Sequence, residues 1–250
     1  MNGTLSLAQR YQAVKARIER AAAAVGRDPD SVRLLAVGKT FPAGSIAELA
    51  ALGQQAFGEN YLQEALAKMA ALAHLRPAWP AGAAAIEWHF IGPIQSNKTR
   101  RIAESFDWVQ SVDQERIARR LSEQRPPELP PLQVCLQVNV SGEASKSGCP
   151  PEEVVALARA LAAMPGIRLR GLMAIPEPSD DAALQASRFA ELRRLLDEAR
   201  QALEGSGLPG ADRLDTLSMG MSADLETAIA EGATIVRVGS ALFGERPARS

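Results

Sequence analysis

A single lysine closes the apolar run Leu34-Leu35-Ala36-Val37-Gly38-Lys39-Thr40. A lysine carried out at the carboxyl end of a buried strand is costly to desolvate, so its pKa falls and a neutral, nucleophilic amine becomes available. Such an amine forms Schiff bases with aldehydes and ketones. Lysines also snorkel from strand ends into solvent, so this stretch alone leaves both roles open. Two late turns are suited to an anion. In Ser218-Met219-Gly220-Met221-Ser222-Ala223-Asp224, Ser222 is a good helix N-cap and Gly220 allows close approach of backbone to a ligand. The second, Arg237-Val238-Gly239-Ser240-Ala241, is again a small-residue turn entering a short helix. Free N–H groups at helix starts bind phosphate. Arg237 is flanked by Val236 and Val238, and if the valines face outward the arginine points inward. There it must meet either an acidic neighbour such as Glu59 or a ligand.

These residues are scattered, and the elements between them must bring them together. The chain has 250 residues, 46% of them hydrophobic, enough for one large core. The spacing predicts an amphipathic leading helix over Leu5 to Val25, then strands at Leu34 to Lys39, Gln55 to Asn60, Ile86 to Gly92, Trp108 to Val112, Leu132 to Val140, Ile167 to Ile175, Leu214 to Ser218 and Thr234 to Val238. Helical stretches separate them. The proline-rich segment Arg125 to Pro131 has the composition of a linker, but the same rhythm resumes after it. Eight strands alternating with helices predict a single (β/α)8 TIM barrel spanning 1–250, with the helix of residues 1–30 packed on it. An open doubly wound sheet is the alternative, because periodicity does not show closure. A barrel would collect Lys39, Asn60, His89, Asn139, Met173, Ser218 and Arg237 at one mouth.

Composition narrows the partners. Lys+Arg total 28 against Asp+Glu 29, a net charge of −1, which offers no general field for nucleic acid or an anionic membrane. There is no uninterrupted apolar run of membrane-spanning length and no secretory signal pattern at the start, which predicts a cytoplasmic protein. Cys135 and Cys149 show no metal-ligand spacing, and read as a buried strand thiol and a loop thiol.

A Schiff-base lysine, a phosphate site and an inward arginine together describe binding of pyridoxal phosphate. A Schiff-base aldolase acting on a sugar phosphate would share the lysine and the phosphate site. His89 is the only histidine expected near the mouth as an acid or base.

The segments LLAVGKT, FGENYLQEA, EWHFIGPIQSNK, LQVNVSGEASKSG, RGLMAI, LSMGMSADLETAI and VRVGSALFGER resemble the YggS/PROSC family of pyridoxal phosphate homeostasis proteins from about Leu34 to Arg246. The resemblance implies a barrel of the alanine-racemase N-terminal, fold-type III kind, with pyridoxal 5′-phosphate held covalently as an internal aldimine on Lys39. It implies further that Ser218, Ser222, Gly239 and Ser240 belong to the phosphate-binding turns, that Arg237 faces the pyridine nitrogen, and that Asn60 and Met221 lie beside the cofactor. Lys146 is a candidate secondary contact. Two residues depart from the family pattern: Gly38 stands where Ser or Thr is usual, and Phe41 where a second lysine is frequent.

An arginine facing the ring nitrogen disfavours its protonation, so a carbanion at the α-carbon is poorly stabilised. Racemases sharing this barrel compensate with a tyrosine base from an additional domain of a partner chain. Here the sequence reaches Ser250 without room for such a domain, and its tyrosines, Tyr11 and Tyr61, lie early. The expectation is therefore a pyridoxal phosphate carrier or homeostasis protein with PLP-dependent apoenzymes as its recipients, rather than an enzyme. A low-activity fold-type III enzyme such as an amino-acid racemase is the alternative.

Overall fold

The computed structural model describes residues 5–75, 86–143, 146–208 and 210–244. Eight parallel strands close into a barrel in sequence order, the first pairing back onto the eighth. The strands are β1 Arg33–Val37, β2 Ala56–Glu59, β3 Glu87–Phe90, β4 Trp108–Val112, β5 Leu132–Gln137, β6 Ile167–Met173, β7 Thr216–Ser218 and β8 Ile235–Val238. Helix α1, Leu7–Ala24, leads the chain. Between strands come α2 Ala43–Ala51, α3 Leu62–Ala71, α4 Thr99–Ser105, α5 Glu115–Gln124, α6 Val154–Ala162, α7 Ala182–Glu204 and α8 Leu225–Ala230, with α9 Ser240–Phe243 after β8. Closure rules out the open sheet.

Side-chain alternation divides the core in two. Leu34 and Ala36 of β1, Phe57 of β2 and Val236 and Val238 of β8 join the apolar faces of the helices in one continuous shell. Their sequence neighbours fill the bore: Leu35, Ala56 and Ile235 pack with Ile91, while Trp108, Cys135 and Met173 form a separate group. The bore is a packed interior, and polar side chains are threaded between its two apolar groups.

The proline-rich stretch before β5 is no linker. The Arg125 side chain is buried and donates to the backbone oxygens of Ala103 at 2.6 Å, Phe106 at 2.8 Å and Pro130 at 2.8 Å, tying the α5–β5 connection to the end of α4. Strand β5 stops at Gln137 rather than Val140, because Cys149 bonds back beside it, donating to Gln137 O at 2.9 Å and accepting from Asn139 N at 2.9 Å. Cys149 is accordingly buried and not an open loop thiol; burial pushes it, like Cys135, up to about 12. The Ala/Pro/Gly loop read after α3 lies outside the described residues.

Helix α1 opens with a capping box between Ser6 and Gln9. It packs on α8 and α9, and arginines reach from it and from the turn after it. Arg10 donates to Leu242 O at 2.6 Å, Arg17 to Ser222 O at 2.9 Å, and Arg27 to Ile229 O at 2.7 Å and Ala233 O at 2.8 Å.

Candidate functional site

Lys39 lies in the turn just past β1, half-buried at the carboxyl end of the barrel. The turn is held from behind. Gly38 donates to Gly58 O at 3.0 Å, and Gly38 O accepts from Phe41 N at 3.0 Å and from Lys68 Nζ at 2.7 Å. Thr40 adopts φ 70°, a left-handed conformation uncommon for a residue with a side chain, and its N–H donates to Glu64 Oε1 at 2.6 Å. Lys68 in turn donates to Glu59 at 2.8 Å and Glu64 at 2.6 Å.

This cluster corrects the pairing of Arg237 with Glu59. A Cβ at Gly58 would meet Leu35 and Ile91 of the bore, whereas one at Gly38 would meet Ile46 and Glu59. Glu59 therefore stands on the helix side of the wall, one residue out of phase with the interior, and Lys68 of α3 is its partner. Burial raises its carboxyl to about 7 against the pull of Lys68.

Arg237 does face inward, as its flanking valines required. Its Nη1 donates to Ser218 O at 2.7 Å and Ser218 Oγ at 2.9 Å, and its Nη2 to Ala174 O at 2.8 Å. Among the described residues no carboxylate forms an ion pair with it, and burial lowers its pKa to about 10. The fully buried Ser218 hydroxyl donates to Gln110 Oε1 at 2.6 Å, and Gln110 Nε2 lies 2.8 Å from His89 Nδ1.

His89 is thus not at the mouth. It sits one layer down in the bore, fully buried, stacked on Trp108 with ring centroids 5.2 Å apart, its Nε2 2.6 Å from Glu87. Burial lowers its pKa against the opposing pull of Glu87. Burial also pushes Glu87 upward, but the hydrogen bond from His89 and the Arg33 guanidinium, 2.6 Å away, hold its carboxyl at about 2.

The two late turns differ in construction. Gly220 has φ 89°, and a Cβ there would stand 2.5 Å from Ala228 Cβ, so only glycine fits. Ser222 is not the N-cap of α8. Residues 222–224 form a turn, Asp224 is the cap, and its carboxylate accepts from Met221 N at 2.6 Å. Asp224 stands at the cap without a side-chain bond to the helix, its carboxylate being committed to Met221 N. Gly239 caps α9, with exposed Ser240 as its first residue, and lies against Val37: its Cβ would be 3.4 Å from Val37 O. The second turn is thereby placed beside the strand that leads to Lys39.

Asn60 follows β2, whose end is in register with that of β1. Its Oδ1 and the Thr40 Oγ1 are buried without a hydrogen-bond partner. Met221 and Tyr61 are both substantially exposed, and Tyr61, early in the sequence, directly follows Asn60 at the rim. Asn139 is engaged within its own loop by Glu143 and Ser141, and Met173 packs against Trp108 and Cys135 in the bore. Lys146 is half-buried in the same loop as Asn139. Sequence reasoning missed Gln110, Glu87 and Lys68. The available signal was a polar residue inside an apolar strand, as Gln110 is in Trp108-Val109-Gln110-Ser111-Val112.

A closed eight-stranded barrel with a lysine beyond its first strand and a buried arginine on its last defines a class, and the chain matches the family model described as alanine racemase, N-terminal domain, over residues 10–247. It is 59% identical over 241 residues to the pyridoxal phosphate homeostasis protein of Pseudomonas aeruginosa, covering 96% of each chain. With that of Escherichia coli K12 it shares 48% identity over 242 residues, 96% of this chain and 97% of the other. The chain belongs to the pyridoxal phosphate homeostasis protein family. Among solved structures it is similar to PipY of Synechococcus elongatus with PLP bound, at a TM-score of 0.80 and 37% identity over 96% of this chain and 100% of that one. Alanine racemase of Corynebacterium glutamicum, 19% identical with a TM-score of 0.64, shares the fold over 96% of this chain and 62% of its own length.

Proposed function

We propose that this chain binds pyridoxal 5′-phosphate in the barrel mouth and serves its homeostasis in the cytoplasm, passing it to PLP-dependent apoenzymes without strong turnover of its own. The observation that carries the reading is Arg237: a fully buried guanidinium whose hydrogen bonds go to two carbonyls and a hydroxyl. A buried cation balanced by neutral groups suits an anionic, nitrogen-containing ligand. The orphaned Asn60 Oδ1 and Thr40 Oγ1 beside the Lys39 turn are polar atoms that such a ligand can satisfy.

In this reading Lys39 Nζ holds the cofactor covalently at its aldehyde carbon. The backbone at Ser222, Gly239 and Ser240 binds the phosphate, and Asn60 and Met221 flank the ring. Ser218, with its hydroxyl committed to Gln110, supports Arg237 from beneath. When bound, the cofactor supplies an aldehyde that exchanges reversibly between amines. Arg237 offers the ring nitrogen a hydrogen bond from a group that stays protonated, which leaves that nitrogen without the proton needed to sink electrons.

The test is the visible spectrum of the purified protein before and after borohydride, with peptide mapping of the reduced sample. A yellow protein that loses its colour and carries the pyridoxyl mass on the Lys39 peptide supports the reading. Lys39→Ala should abolish that label and keep weak phosphate-dependent affinity. Unchanged labelling in the variant, or a protein that pyridoxal phosphate cannot turn yellow, would sink it. Incubation with L-alanine in deuterated water then separates carrier from racemase, since racemisation washes deuterium into the α-position.

A further inference from the structure

The hydrogen bonds beneath Arg237 form one continuous path through the bore, and its ends dictate its direction. An arginine has only donors and an ionised carboxylate only acceptors. Arg237 Nη1 donates to Ser218 Oγ at 2.9 Å, and the hydroxyl proton goes on to Gln110 Oε1 at 2.6 Å. The Gln110 amide then donates to His89 Nδ1 at 2.8 Å, so Nδ1 is bare, and Nε2 carries the proton that faces Glu87 at 2.6 Å. Arg33 donates to Glu87 from the far side at 2.6 Å. Every proton between Arg237 and Glu87 points away from the mouth.

We propose that Gln110 and His89 are positioning residues for Arg237: with Ser218 they form a one-way donor chain that anchors the guanidinium and leaves no proton below it to pass to a ligand in the mouth. The inference rests on the pyridoxal phosphate reading above and adds how that site is kept unsuited to α-carbon chemistry. The opposite polarity needs a doubly protonated His89. Nδ1 would then be a donor, Gln110 would have to reverse its amide, and Ser218 would lose its acceptor. The charges around the ring are Glu87 on β3, Arg33 on β1 and Asp107 before β4, and Arg170 of β6 lies 5.1 Å from the Trp108 ring on which His89 stacks. Arg33 opposes a positive ring while Glu87 and Asp107 favour one, and complete burial of His89 decides for the neutral form.

The tests use nitrogen-15 histidine spectra of the cofactor-free protein and the visible pH profile of the loaded one. In the wild type at neutral pH, His89 should show a bare Nδ1 and a protonated Nε2, and should take up a second proton only at lower pH than an exposed histidine does. In Gln110→Glu a carboxylate replaces the donor at Nδ1, so His89 should gain a second proton and titrate. Gln110→Leu, which leaves the Ser218 hydroxyl and His89 Nδ1 without a partner, should lower the melting temperature, release pyridoxal phosphate about tenfold faster, and make the visible band pH-dependent. A doubly protonated or Nδ1–H His89 in the wild type at neutral pH overturns the proposal. So does a folded Gln110→Leu with unchanged retention and spectrum. If Gln110→Leu fails to fold, the wild-type and Gln110→Glu histidine spectra decide. A wild-type protein that never turns yellow removes the pyridoxal phosphate reading, and the histidine spectra still report on the chain itself.

Discussion

The Lys68 ammonium donates to the Glu59 carboxylate at 2.8 Å and to the Gly38 backbone oxygen at 2.7 Å, so one buried cation ties the end of β2 to the turn that carries Lys39. The turn that carries Lys39 is positioned from the helix side of the barrel wall by a second lysine.

Glu59 makes that anchor sensitive to pH. Its folded pKa of about 7 lies above the usual 4.5, so the folded chain holds this proton more tightly than the unfolded one. Its contribution favours folding fully below about 4.5 and is lost as pH rises through about 7. Urea unfolding at about pH 5 and about pH 8 should show the wild type losing stability with rising pH and Glu59→Gln losing less. Lys68→Met, which strips a buried pair of one partner, should cost about 3–5 kcal/mol.

Glu87 acts in the opposite window. Its carboxyl is held at about 2, so its contribution is present above 4.5 and disappears as pH falls through about 2. Glu87→Gln should therefore flatten the acid limb of the melting temperature while leaving the slope near neutrality, which belongs to Glu59, in place. Thermal melts from neutral to acid pH on both variants separate the two groups.

Gly38 sits where a side chain has little room. A Cβ there would come 2.5 Å from Ile46 Cδ1 and 2.9 Å from Glu59 Oε1. Gly38→Ser should destabilise by about 1–3 kcal/mol through overpacking. Ile46→Val removes the clashing methyl, so the double variant should be more stable than the sum of the single changes. Additive losses in a double-mutant cycle would show that Ile46 is not the obstacle.

Arg10 and Arg17 connect α1 to the segments that follow the two late turns. Arg10 holds the end of α9 through Leu242 O, and Arg17 holds Ser222 O while pairing with Glu226 at 2.5 Å and 2.7 Å. Arg10→Met and Arg17→Met should each lower stability by about 1 kcal/mol, Arg10 through lost hydrogen bonds to backbone carbonyls and Arg17 through these and a partly exposed ion pair. Together they should speed release of pyridoxal phosphate without moving borohydride labelling away from Lys39. Release kinetics at matched folded fraction check this.

Much of this was legible because it is local. The eight-fold alternation, the lysine after an apolar run and the inward arginine between Val236 and Val238 follow from periodicity two in strands and 3.6 in helices. Glycine at 220 was expected for close approach of a ligand, but the space that a Cβ would take is filled by Ala228 of α8, a reason the local sequence does not show. The family resemblance rode on the same short motifs.

What required the tertiary structure was depth and side. Whether Glu59 faced Arg237 or a helix depended on where β2 ends relative to β1, and one residue of register puts a side chain on the opposite face of the wall. His89, two residues before Ile91 on β3, lies a full layer below the mouth, where Gln110 and Glu87 claim both its nitrogens. Ser222 is not the cap because residues 222–224 turn before α8 begins at Leu225. The sequence by itself determined the units and their chemistry. Closure of the barrel decided which polar groups share the bore, because contacts such as Ser218 to Gln110, 108 residues apart, exist only once the strands meet in a ring.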